Sequence, residues 1–208
     1  MIFSALDSHG QMQVGLSYGG NYDFGKQIPD GYQSKGILNI SILYKNPSRL
    51  SPFLSFGFTK IPLNYSEVVL KNQGDFKTVA INNSTSIALG VETMVKDDDK
   101  SDLFVRFGFG ISIFSNPMVW LENSNVSFTQ DSNYGPGAET KFPFLDLSIK
   151  LDRELSEHWA IDFSPGTEYY PKDNKVAIVG KINQVAIEVN SSFTKLRPYA
   201  KIGVAYRL

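Results

Sequence analysis

Hydrophobic and polar residues alternate along most of this chain with a period of two. Met12, Val14, Leu16 and Tyr18 interleave with Gln11, Gln13, Gly15 and Ser17. Leu38, Ile40, Ile42 and Tyr44 do so with Asn39 and Ser41, and Leu54, Phe56 and Phe58 with Ser55, Gly57 and Thr59. The same pattern covers 86–92 (Ile87, Leu89, Val91), 145–151 (Leu145, Leu147, Ile149, Leu151) and 158–164 (Trp159, Ile161, Phe163). It returns at 185–190 (Val185, Ile187, Val189) and 200–208 (Ala200, Ile202, Val204, Tyr206, Leu208). The clearest segment is 103–113, where Leu103, Val105, Phe107, Phe109, Ile111 and Ile113 oppose Phe104, Arg106, Gly108, Gly110 and Ser112. Successive strand side chains point to opposite faces, so each segment has one apolar face and one polar or small face. Nine such segments predict an all-β chain.

The connections alternate in length. Short polar turns fall at 46–50, 96–101 and 153–157, and longer Gly/Asn/Ser/Pro-rich stretches fill 19–35, 61–83 and 114–140. Within them Glu67–Lys71 and Phe76–Ile81 flank Asn72-Gln73-Gly74-Asp75, which reads as a hairpin tip. This is a meander with unequal ends. No composition break divides residues 1–208, so a single domain is expected.

Two architectures produce this alternation. A soluble sandwich or lipocalin-type barrel packs the apolar face inward around a small-ligand cavity. An outer-membrane barrel turns it toward lipid and lines a narrow interior with the polar face. Three features favour the second. Gly15, Gly57, Gly90, Gly108, Gly110 and Gly203 recur on the polar face, where glycine lets a small barrel curve tightly. The charges there are nearly balanced: Glu92, Asp146, Asp162 and Glu188 against Arg106, Lys150 and Lys201, as buried charges require. Tyr44, Trp159, Tyr199 and Tyr206 sit near segment ends, on or beside the apolar face, as interfacial aromatics do.

Composition narrows the chemistry. The 208 residues carry a net charge of -1, too little for a broad nucleic-acid surface. With no cysteine and only His9 and His158, thiolate zinc sites, thiol catalysis and His-rich metal centres are excluded. No apolar run reaches the roughly 20 residues of a membrane helix, whereas a barrel strand needs only about 9–11. Met1 to Ser8 lacks a secretory n-region and h-region, so the numbering starts after a removed signal or the protein is cytoplasmic.

A turn-then-strand phrase recurs as Leu50-Ser51-Pro52-Phe53-Leu54-Ser55-Phe56-Gly57-Phe58 and Leu196-Arg197-Pro198-Tyr199-Ala200-Lys201-Ile202-Gly203-Val204. Ser101–Gly110 keeps its aromatic and glycine, with Leu103 where proline would fall. With the terminal Gly203-Val204-Ala205-Tyr206-Arg207-Leu208 and the Leu155–Phe163 turn and strand, the chain resembles small bacterial outer-membrane β-barrels of the OmpA, OmpX and OmpW kind. The resemblance implies an outer-membrane location, periplasmic short turns, long surface loops and no shared catalytic set. Two departures stand out. The family's chains usually end in Phe or Trp, whereas this one ends in Leu208; and nine segments is an odd number, while a single-chain barrel of this class closes with an even one. Eight strands result if 176–190 extends a loop; ten result if Met1–Asp7 adds a strand. Eight is the expectation.

Candidate chemistry is sparse. His158, Asp162 and Ser164 share parity, but four residues span about 13 Å of strand, too far for a triad. Asp97-Asp98-Asp99 lacks the spacing and glycine of a calcium loop and reads as a solvated turn. Asn64-Tyr65-Ser66, Asn83-Ser84-Thr85 and Asn125-Val126-Ser127 match glycosylation sequons, which matter only in a eukaryotic secreted protein. Tyr18-Gly19-Gly20 precedes no helix and cradles no phosphate. The expected site is therefore a lumen network of Glu92, Arg106, Asp146, Lys150, Asp162, Glu188 and Lys201 that plugs the barrel, since eight strands enclose little beyond their own side chains. No cofactor, metal or catalytic residue is expected. The expected partners are outer-membrane lipid and a surface ligand or protein at the long hairpins. The expected role is structural or adhesive; the alternatives are a narrow transport pore for small solutes and a soluble β-barrel or sandwich that binds a small apolar ligand.

Overall fold

A computed structural model describes residues 10–21, 36–46, 50–62, 66–70, 74–98, 101–122, 128–134, 139–172, 175–182 and 185–208. These residues form twelve strands. They are β1 (Gln11–Asn21), β2 (Ile37–Lys45), β3 (Leu50–Pro62), β4 (Ser66–Leu70), β5 (Gly74–Lys96) and β6 (Ser101–Glu122). Then follow β7 (Phe128–Tyr134), β8 (Lys141–Glu154), β9 (Trp159–Tyr169), β10 (Lys175–Ile182), β11 (Val185–Ser192) and β12 (Leu196–Arg207).

Eight of them close a barrel in the order β1-β2-β3-β5-β6-β8-β9-β12, with β12 returning to β1. Every pairing around it is antiparallel. From Tyr18, the paired positions Leu38, Phe58, Thr85 and Ile113 lead to Lys141 on β8. In the other direction Ile202 and Phe163 lead to Leu151 on the same strand, ten residues away. Eight strands with a stagger of ten tilt the strands roughly 40° from the axis.

The alternation decides which face is which. Leu16, Ile40, Leu54, Leu89, Phe107, Ile111, Leu147, Phe163 and Ile202 all point away from the axis and are 36–63% exposed. From Leu103 to Ile113 the apolar row is about 25 Å tall, the height of a hydrocarbon-facing band. The opposite parity faces inward. Glycine there is required by crowding: a Cβ on Gly90 would collide with the Phe107 carbonyl oxygen, and one on Gly110 would lie 2.6 Å from that of Ile87.

Strands extend further than the alternation shows. The stretches 61–83 and 114–140 contain the ends of β3 and β6, the start of β5, and β4 and β7. The hairpin around 72–75 forms, with Leu70 opposite Gly74 and Ser66 opposite Thr78; its tip, like 22–35 and Met1–Asp7, lies outside the described residues. The segment 185–190 is no barrel strand. It belongs to β11 in a separate sheet ordered β11-β10-β7, which leaves eight in the barrel. Its Glu188 is consequently not a lumen charge: it lies exposed opposite Val179 of β10. The short-turn end is tied by Ser101 donating to the Asp98 carbonyl and Leu155 donating to that of Trp159.

Candidate functional site

The barrel interior has two unlike halves. Toward the short turns it is ionic. Glu92 projects from β5 between Arg106 on β6 and Lys150 on β8, its Oε2 lying 3.4 Å from Arg106 Nε and 3.5 Å from Lys150 Nζ. Lys150 also reaches Asp152 Oδ2 at 3.0 Å. Glu92 is 1% exposed and Lys150 5%, so each charge is held by its partners rather than by bulk water. Rings separate the layers: Arg106 lies 4.0 Å from the Phe53 centroid, and Phe104 has Lys45 and Lys150 at 5.5 and 5.2 Å. At the rim Lys45 pairs with Asp102 at 3.3 Å and Arg207 with Glu154 at 2.5 Å.

Above these, Ser164 donates to Asp162 Oδ1 at 3.1 Å, and Tyr199 Oη donates to Asp146 Oδ1 at 2.7 Å. Lys201 sits 4.0 Å from the Tyr199 ring centroid. Six of the seven expected lumen charges, Glu92, Arg106, Asp146, Lys150, Asp162 and Lys201, line one cavity, together with Gln13, Ser17, Asn39 and Ser41. It holds about 30 Å³ of open space, room for about one or two waters and no solute.

Toward the long hairpins the interior becomes apolar. Arg197 Nη1 meets Glu168 Oε2 at 3.3 Å, Tyr170 donates to the same oxygen at 3.0 Å, and Ser112 lies 3.0 Å from the Tyr170 hydroxyl. Past that pair, Phe114 packs against Phe142 with centroids 4.7 Å apart and ring planes tilted by 43°, and Phe193 meets Phe142 and Tyr170 edge-on at 5.1 and 5.0 Å. Ile61, Val176 and Ile178 complete the cluster with no exposed surface. Val176 and Ile178 come from β10, so the separate sheet contributes side chains to the plug.

The aromatics divide by parity. Trp159 and Tyr206 face outward at the short-turn end with ring centroids 4.9 Å apart, and Tyr44, on the outward parity of β2, is half-buried. Tyr199 is 6% exposed and points inward to Asp146, which corrects its reading as an interfacial ring. It has the parity of Lys201, so the interior side was readable. His158 precedes β9, is exposed, stacks on Tyr206 at 5.7 Å and has Nδ1 3.3 Å from the Arg207 carbonyl oxygen; it does not join Asp162 and Ser164.

Sequence reasoning passed over Lys45, Asp102, Asp152, Glu168, Arg197 and Arg207. Most lie beyond the segments where alternation is clear. Arg207 lies within one, and its parity with Lys201 was the available signal. Among the described residues no group of acidic and histidine side chains is arranged to hold a metal ion.

No protein-family model matches the sequence, and no curated protein matches it. Solved structures do. The chain is similar to a major outer membrane protein from Thermus thermophilus, at 14% identity over 97% of this chain and 100% of that one, with a TM-score of 0.61. It is also similar to Neisserial surface protein A, at 12% identity, 97% and 98% coverage and a TM-score of 0.52. The outer membrane protein OprG from Pseudomonas aeruginosa matches at 11% identity, 96% coverage of both chains and a TM-score of 0.51. The fold is that of the small outer-membrane barrels.

Proposed function

We propose that this single-domain protein spans a bacterial outer membrane, with its short turns in the periplasm and its long hairpins at the cell surface. The role is structural or adhesive: the lumen is closed, and the protruding strands β4, β7, β10 and β11 present the surface to a ligand or partner protein. The observation that carries this reading is the inversion of the fold. Large apolar side chains lie exposed around a closed barrel while Glu92, Lys150 and Asp152 lie buried within it, which is stable only if hydrocarbon surrounds the exterior.

No catalytic step is assigned. Ser164 and Asp162 contact each other with no histidine beside them among the described residues, and His158 stacks on Tyr206. A conducting pore is disfavoured by the aromatic plug and the small cavity.

Two measurements test the proposal. Detergent-purified protein should migrate differently on gels before and after boiling, as folded outer-membrane barrels do, and in planar bilayers it should be electrically silent. Steady conductance steps would transfer the role to a pore; a folded protein in detergent-free buffer would remove the membrane reading altogether.

A further inference from the structure

Most charges in the lumen are matched, and one is not. Arg106 and Lys150 are taken up by Glu92 and Asp152. Lys45 pairs with Asp102 and Arg207 with Glu154 at the rim, and Arg197 with Glu168 above. Lys201 lies against the Tyr199 ring, on the long-hairpin side. Asp162 is 8% exposed, accepts a hydrogen bond from Ser164 on Oδ1 and joins no ion pair among the described residues. With the rim and upper pairs set aside, Glu92, Asp146, Asp152 and Asp162 face Arg106, Lys150 and Lys201. One carboxylate is in excess, and a buried charge needs a counter-charge.

The backbone makes room for one. Asp162, Gly203 and Ser17 are directly paired across β9, β12 and β1, as are Gly15 of β1 and Ser41 of β2. Directly paired positions share a face, and the two glycines leave gaps in it. A Cβ on Gly203 would lie 2.5 Å from Asp162 Oδ2, and one on Gly15 would lie 2.8 Å from Ser41 Oγ. Asp162 thus reaches over β12 and Ser41 over β1, toward each other across the seam where the first and last strands close the barrel. Gln13 projects from β1 into the same cavity; it is 3% exposed, and neither atom of its amide has a hydrogen-bond partner among the described residues.

We propose that this seam holds one monovalent cation of the sodium class. Asp162 Oδ2, Gln13 Oε1 and the Ser17 and Ser41 hydroxyl oxygens supply hard oxygen ligands with a single negative charge, whereas a calcium ion takes 6–8 oxygens with several carboxylates among them. The open space of about 30 Å³ admits one such ion in place of a water. The ion cancels the excess charge and ties β9, β12, β1 and β2 together at the closure.

The test folds the protein into phosphatidylcholine vesicles and unfolds it in urea across a NaCl series, with ionic strength held constant by N-methyl-D-glucamine chloride. By mass action the wild-type midpoint should rise with Na+. Asp162→Asn keeps the shape and removes the charge, so its response should need at least about tenfold more Na+. Gln13→Leu leaves every charge in place and should need about fivefold more, which keeps the site testable if Asp162→Asn does not fold. Asp98→Asn, in an exposed turn, should respond as wild type. A wild-type midpoint indifferent to Na+, or Asp162→Asn and Gln13→Leu responses equal to wild type, would overturn the site. So would a midpoint that follows pH but not Na+, which would give the excess charge to a proton.

Discussion

The two ends of the lumen close the same barrel by opposite means. At the short-turn end, charges projecting from the neighbouring strands β5, β6 and β8 meet in the lumen around Glu92. At the long-hairpin end, rings from β6, β8 and the segments flanking β9 and β12 pack into an apolar plug, with Val176 and Ile178 of β10 inserted from above. The lower half tolerates loss of a partner poorly, because an ion deprived of its counter-charge stays buried. The upper half degrades in proportion to the volume removed. Each half therefore has its own signature under mutation.

Glu92→Leu should have the largest effect. It strands Arg106 and Lys150 without their shared carboxylate and should cost about 3–5 kcal/mol, read by urea unfolding in lipid vesicles; a loss under about 1 kcal/mol would mean that Asp152 and Asp162 compensate. Next comes the exterior. Ile111→Arg places a cation near the bilayer midplane and should cost roughly 2–4 kcal/mol and impair insertion, visible as lost heat-modifiable migration. In the plug, Val176→Ala should cost about 1.5–2.5 kcal/mol while leaving insertion intact. An unchanged unfolding midpoint would detach β10 from the barrel's stability. The smallest effect belongs to Tyr170→Phe, which removes the hydroxyl bridging Ser112 and Glu168 and should cost about 1 kcal/mol.

Much of this architecture was legible in the sequence. Period-two alternation located the core of all eight barrel strands, and glycines and ions on the minor parity identified the inside. Alternation failed in one informative place. Val185, Ile187 and Val189 alternate as regularly as any membrane-crossing strand, yet they lie on β11 of the separate sheet; alternation marks a strand without saying which sheet it joins. Glu188 was misassigned for that reason. The aromatic plug was hidden differently. Phe114, Phe142 and Phe193 sit among Asn, Ser, Lys and Pro, near or beyond segment ends, and nothing local marks a ring as inward once alternation fades. Asp152 and Glu168 were missed on the same account, each lying just past the segment where alternation was clear.

Everything depends on which way the strands face, and the chain's lack of cysteine makes that directly measurable on β6. Spin labels placed singly at each position from 103 to 113, in protein reconstituted into bilayers, should show oxygen accessibility oscillating with a period of two. Maxima are expected at Val105, Phe107, Phe109 and Ile111, and minima at Arg106, Gly108 and Gly110. Maxima at the even positions, or no oscillation, would contradict the membrane-facing assignment.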